Sequence, residues 1–190
     1  MTENDNSFDS LGTGFLRQSI IRLEGYKLMA DKATGQLTKE QLFSIVSPGS
    51  NSIAVIMQHM GGNMMSRWTN FLTEDGEKTW RNRDQEFEQP DAQLANEKAI
   101  LDLWEKGWAC LLGALGNLKP ADLEKNITIR AEQMKAYDAI IRQLMHYSGH
   151  VGQIVYIAKM LKKEDWQPLT IAKNQSQAYN ESIGFTKQKH

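Results

Sequence analysis

Cysteine is almost absent from this chain of 190 residues: its single example, Cys110, cannot form an internal disulfide or a multi-cysteine zinc site. Proline is scarce, with four in all, and the 14 glycines are scattered, so long helices meet few obligatory breaks. Long apolar runs are missing too. Gly, Gln, Lys or His interrupts every stretch well short of the roughly 18 residues that span a bilayer, so no membrane association is expected. Excess charge of one sign is also lacking: 22 Lys plus Arg against 23 Asp plus Glu leave a net charge of −1. That balance supplies no global field for nucleic acid, and none is expected as a partner. The segment from Met1 to Ser10 has neither the basic region nor the apolar region of a secretory signal, which makes the cytoplasm the expected compartment. No repeat, low-complexity tract or long linker divides the chain, and a single domain over residues 1–190 is expected.

What the chain does have is helical periodicity. Phe8, Leu11, Phe15, Ser19 and Leu23 recur at steps of three and four, with Leu16 and Ile20 widening the face of a helix from about Asp9 to Ala33. Gly35 stops it, and Thr38 with Gln41 forms a capping-box pattern for a short turn. A turn at Ser47–Asn51 leads into a second long helix to about Leu72, carrying Ile53, Met57, Met60, Met64, Trp68 and Phe71 on one face. Thr73 to Gln89 shows no stripe and reads as a long loop. Pro90-Asp91 opens a third helix with Leu101, Trp104, Trp108, Leu111 and Leu115 inward, ending at Gly116-Asn117. Asn126 to Arg130 alternates like a short β segment, Ala131 to Leu161 is a fourth long helix, and Ser176 to Phe185 adds a short C-terminal one. The fold class is all-α, and four long amphipathic helices predict a four-helix bundle.

Histidine is the residue type that points to chemistry. His146 and His150 are four apart, so on a helix they share a face one turn apart, among Ala139, Gln143 and Gln153. His-x-x-x-His alone is weak evidence, since two half-exposed histidines bonded to backbone or Gln would leave the same trace. His59 strengthens it. It sits mid-way along the second helix on the stripe Ser52, Val55, Ile56, His59, Asn63 and Ser66, a polar set within an apolar helix. A third imidazole from a neighbouring helix completes a three-nitrogen site that leaves a coordination position open, as in catalytic metal sites. Asp138 lies about two turns, or roughly 10 Å, from His146 and is too far to serve as fourth ligand. No Glu follows either histidine in a His-Glu-x-x-His arrangement, which argues against metallopeptidase chemistry. His190 is terminal and expected to be solvated.

Several segments carry a family resemblance: Asn51-Ser52-Ile53-Ala54, His59-Met60-Gly61-Gly62-Asn63-Met64-Met65-Ser66-Arg67-Trp68, Trp80-Arg81-Asn82-Arg83-Asp84, and His146-Tyr147-Ser148-Gly149-His150-Val151-Gly152-Gln153-Ile154-Val155-Tyr156. In these the chain resembles the DinB/YfiT-like superfamily of metal-binding helical bundles, and within it an uncharacterised subfamily. The resemblance implies an up-down-down-up bundle, a divalent metal (nickel or zinc) on His59, His146 and His150, and homodimerisation. Better-known members of that superfamily transfer a low-molecular-weight thiol to an electrophile or isomerise maleylpyruvate with a thiol cofactor, and others are labelled hydrolases, so the resemblance implies an activity of one of these kinds. The fold alone does not choose between them.

The expectation is therefore a metal-dependent enzyme that presents a thiol or water to a small electrophilic substrate; the alternative is a metal-containing binding or stress-response module without turnover. Asn63 and Gln153, each close in sequence to a histidine, are candidates to orient substrate or water, or to hydrogen-bond the imidazoles. Arg81 and Arg83 are a candidate clamp for a carboxylate or phosphate if their loop folds over the site. The more ordinary outcome for them is surface pairing with Asp84, Glu86 or Glu88. Cys110 lies on a stripe of small residues with no basic neighbour, which reads as an inert thiol. The methionines read as core filler.

Overall fold

The computed structural model describes residues 10–185, so the expectations placed on Phe8, Asp9 and His190 lie outside the described residues. These residues are mostly helical, and among them are six α-helices and one two-stranded sheet: α1 (Leu11–Thr34), α2 (Lys39–Leu42), α3 (Ile53–Trp68), α4 (Leu94–Gly116), β1 (Asn126–Ile129), β2 (Glu132–Lys135), α5 (Ala136–Lys162) and α6 (Ser176–Ser182). Helix ends follow local chemistry. The Ser10 hydroxyl accepts from the Thr13 amide and the Ser52 hydroxyl from the Val55 amide, each relieving an orphan donor of a first turn. The capping box of Thr38 and Gln41 is present on α2.

Each long helix packs against two others, α1 against α4 and α5, and α3 against α4 and α5. Thirteen of the sixteen residues of α3 are buried, Met57, Met60 and Met64 to 1% exposure or less. A helix apolar nearly all round belongs in the middle of a core. Trp104, Trp108, Leu111 and Leu115 of α4 and Ala139, Ile140, Tyr147 and Val151 of α5 complete that core, whereas Leu101 is exposed and Ile100 takes the inward position.

Helices α3 and α4 meet backbone to backbone at two glycines. A Cβ on Gly107 would lie 3.0 Å from the Gly61 Cα and 3.1 Å from its carbonyl oxygen, so backbone itself fills the space a side chain would need.

Three elements differ from the sequence reading, the first being α4, which starts at Leu94 rather than at Pro90-Asp91. Helix α5 starts at Ala136 rather than Ala131, because Glu132–Lys135 pairs antiparallel with Asn126–Ile129, Ile127 opposite Met134. Arg130 and Ala131 form the two-residue turn, both with positive φ, a conformation usually given to Asn-Gly. Here the Asp75 carboxylate holds it, one oxygen accepting from the Arg130 amide at 2.9 Å and the other from the Ala131 amide at 2.8 Å. Helix α3 stops at Trp68 rather than Leu72, since Thr69 is extended and Asn70 turns left-handed.

Gly107→Ala is expected to destabilise the protein by about 1–3 kcal/mol through overpacking against backbone. Gly113→Ala, on the same helix with nothing within 4 Å of its Cβ, is expected to stabilise it by up to about 1 kcal/mol. Urea denaturation midpoints of the two variants check this, and equal shifts would exclude a tight α3–α4 contact at Gly61.

Candidate metal centre

His59 reaches the site from the buried helix α3, and His146 and His150 reach it from one face of α5. Their ring nitrogens form a cluster with one ligand atom from each residue within 4.8 Å of the others. His146 Nε2 lies 3.4 Å from His59 Nε2 and 3.1 Å from His150 Nε2. Two nitrogens bound to one tetrahedral ion at about 2.0–2.1 Å stand roughly 3.3–3.4 Å apart, so these separations match a shared metal.

The outer nitrogens fix which lone pairs face inward. His59 Nδ1 is 2.9 Å from Glu86 Oε2, a carboxylate oxygen that can only accept, so this nitrogen carries the proton. His150 Nδ1 donates in the same way to Gln153 Oε1 at 2.9 Å. In the neutral rings both Nε2 atoms then offer lone pairs to the same point as His146 Nε2. One N–H on His146 satisfies only one of them, whereas a cation at their centre satisfies all three. Carboxylate or amide partners on the far nitrogen are the usual support of metal-binding histidines.

Burial, helped by the charges of His150, His59, Arg67 and Arg81, lowers the His146 pKa to about 3. His150 is also lowered, chiefly by burial, with its Gln153 hydrogen bond opposing. Both imidazoles are thus held neutral, the form that can bind a metal.

Glu86 was not singled out by the sequence, and its five-residue spacing from Arg81 carries no helical signal. The loop after α3 delivers it. Gln58 Nε2 donates to the carbonyls of Gln85 and Glu86, the Ser66 hydroxyl to that of Gly76, and Arg67 to Gly76 and Glu77. Burial pushes the Glu86 carboxyl upward, but hydrogen bonds from Arg81 and His59 and their charges hold it below the ordinary glutamate range. Arg81 grips it with two bonds of 2.7 Å, from Nε and Nη2. The pairing of Arg81 with Glu86 named among the sequence alternatives therefore occurs, but inside the protein, with the Arg81 side chain only 2% exposed. Gly62 makes the room: a Cβ there would stand 2.2 Å from Glu86 Oε1.

Asn63 is held by a buried relay. Trp68 Nε1 donates to the Tyr147 hydroxyl at 3.1 Å, which donates to Asn63 Oδ1 at 3.0 Å. That assignment leaves the Asn63 amide NH2 group without a protein acceptor. Gln153 orients His150 from an exposed position, the imidazole-supporting role of the two weighed for it. A cleft of about 190 Å³ opens beside His59 and His146. Asn63 and Gln143 line it, and so do Arg81 and Arg83 from the loop. Arg83 lies over the Phe87 ring, its guanidinium carbon 5.2 Å from the centroid. Cys110 is half-buried, its sulfur 3.6 Å from the Thr69 hydroxyl, and it is no member of the histidine cluster.

A family model described as "Protein of unknown function (DUF1572)" matches residues 10–175, and the chain belongs to that family. No curated protein and no solved structure matched it. Among the described residues no helix is long and apolar enough to cross a membrane.

Two outcomes are expected from this geometry. Gly62→Ala pushes the Glu86 carboxylate off His59 and lowers metal affinity about 10–100-fold, the usual cost of losing such a partner; competition against a chromogenic chelator measures it. The second concerns pH. The His146 and His150 imidazoles resist protonation in the fold, while in the unfolded chain histidine titrates near 6.5. Their neutral burial therefore contributes fully above that value, and the contribution is lost as pH falls from about 6.5 towards about 3. The metal-free protein is expected to lose denaturant resistance between pH 7 and 5, and His146→Gln to lose less; equal slopes would contradict it.

Proposed function

We propose that this protein is a metal-dependent enzyme of the DinB-like kind, acting in the cytoplasm on a small electrophilic substrate. The observation that carries the reading is the meeting of three Nε2 atoms at 3.1 and 3.4 Å, two with their outer nitrogens already engaged by Glu86 and Gln153. His59, His146 and His150 would hold the ion; imidazole suits both nickel and zinc. Such an ion, when bound, lowers the pKa of a coordinated thiol or water towards neutrality. Three protein ligands leave room in its coordination sphere, and the cleft against His59 and His146 gives that position an approach from solvent. Asn63 is offered to substrate through its free amide hydrogens, its oxygen being tied to Tyr147. The square packing of α1, α4, α3 and α5 supports an up-down-down-up bundle.

The proposed enzyme is a homodimer. Trp68 is buried and cannot line the dimer surface, whereas Trp80 is exposed. A better candidate surface is the outer face of α5, where Ile141, Met145, Tyr156 and Met160 are exposed in one stripe.

Protein purified without an affinity tag is expected to carry one divalent ion per chain. His59→Ala and His146→Ala should each lose most of it while circular dichroism stays helical. Stoichiometric metal in a variant lacking both His146 and His150 would overturn the reading. Cobalt-substituted protein then separates the chemistries: a change in its visible spectrum on adding a small thiol supports thiol transfer, and no change with any thiol supports water as the nucleophile.

A further inference from the structure

We propose that the cleft beside the three histidines is an oxyanion subsite, so that the substrate is a small molecule carrying a carboxylate or phosphate group. The inference deepens the reading of the metal centre and rests on it for the word substrate, but its evidence is separate.

The first observation is the distribution of arginine. The chain has seven, and five of them, Arg67, Arg81, Arg83, Arg130 and Arg142, line this one cleft. None of its lysines does. They come from α3, the following loop, the hairpin turn and α5, so no single segment accounts for the clustering. Arginine is the side chain whose flat fork matches a carboxylate or phosphate with two parallel hydrogen bonds. Carboxylates do not neutralise the group. Glu77 is shared between Arg67 at 2.9 Å and Arg130 at 3.0 Å, and Glu86 is taken by Arg81. Asp75 spends its oxygens on the backbone amides of the hairpin turn and of Glu77. Five guanidiniums against these three carboxylates leave two positive charges uncompensated. Arg142 makes no ion pair among the described residues.

The second observation is independent of charge. Arg81 Nη1 is buried without a hydrogen bond, 3.6 Å from its nearest carboxylate oxygen, on a side chain 2% exposed. Gln143 Oε1 is likewise buried without a partner on a residue 4% exposed. Buried polar atoms in native proteins are almost always paired, and an unpaired pair on the wall of one cleft marks where a ligand supplies the partners. A guanidinium hydrogen needs an acceptor, which an oxyanion provides. The Gln143 oxygen needs a donor, which a hydroxyl, amine or protonated phosphate oxygen beside the anion provides.

The volume, about 190 Å³, equals the share of roughly six water molecules, so the occupant is a small group rather than a polymer. Since His59 and His146 form part of the same wall, an anion held by the arginines leaves the rest of its molecule against the metal position.

The test is isothermal titration calorimetry on the full chain, metal-free and zinc-loaded, with malonate and with inorganic phosphate at matched ionic strength. One anion per chain is expected in both forms, and the tighter of the two probes tells carboxylate from phosphate. Arg83→Gln and Arg142→Gln alter exposed side chains and are each expected to weaken binding at least tenfold. Arg22→Gln, on the exposed side of α1, is expected to leave it unchanged. The proposal is overturned by absence of binding at millimolar concentrations, or by wild-type affinity in the Arg83→Gln, Arg142→Gln double variant. It is also overturned if binding requires metal and is insensitive to both arginines, which would put the anion on the ion alone. Metal without anion binding would sink this proposal and leave the metal reading standing. Anion binding by a chain that takes up no metal would do the reverse.

Discussion

The Glu86 carboxylate is the constraint on which the site depends. It is buried, it is charged, and it accepts from two residues at once: the Arg81 fork on one side and His59 Nδ1 on the other. Burying a carboxylate is tolerable only with such partners. The consequence runs both ways. The loop after α3 cannot leave without stranding a charge, and His59 cannot rotate without losing its acceptor. Gly62, three residues beyond His59 on the same helix, is where the sequence makes space for this contact. One carboxylate thereby couples loop position, imidazole tautomer and arginine placement.

Behind that contact the interior is organised to keep polar groups in place. The relay from Trp68 through Tyr147 to Asn63 crosses from α3 to α5 and is wholly buried. Tyr147 sits beside His146 in sequence, and burial pushes its hydroxyl pKa above the ordinary phenol range. It stays a neutral donor to Asn63 across the working range. The hairpin of β1 and β2 has a comparable role at the other rim: Asp75 fixes its turn, and Gly76 donates its amide to Thr128, so Arg130 is carried to the cleft by the loop that carries Arg81.

The gathering of His59, His146 and His150 was legible in the sequence because helical spacing is local: His146 and His150 share a face at any time the helix forms, and His59 broke an apolar stripe. The long helices were legible for the same reason. Their supports were not. Glu86 and Arg81 meet through an irregular loop with no periodicity to read, and Gly62 shows its purpose only once the carboxylate is seen against it. Arg130 and Arg142 lie far from Arg81 in the chain, so their gathering is a tertiary fact. The β2 strand was absorbed into helix α5 because Glu132 to Lys135 carries good helix formers; pairing with β1 and the Asp75-held turn override that propensity.

The central claim is that three Nε2 atoms share one ion while a fourth position stays open to the cleft. X-ray absorption spectroscopy of metal-loaded protein tests it most directly. The account expects three imidazole nitrogens at about 2.0–2.1 Å together with at least one light-atom ligand not supplied by the protein, and loss of one imidazole contribution in His150→Ala. A spectrum fitted by four protein ligands, by carboxylate oxygen from Glu86, or by fewer than two imidazoles would contradict it.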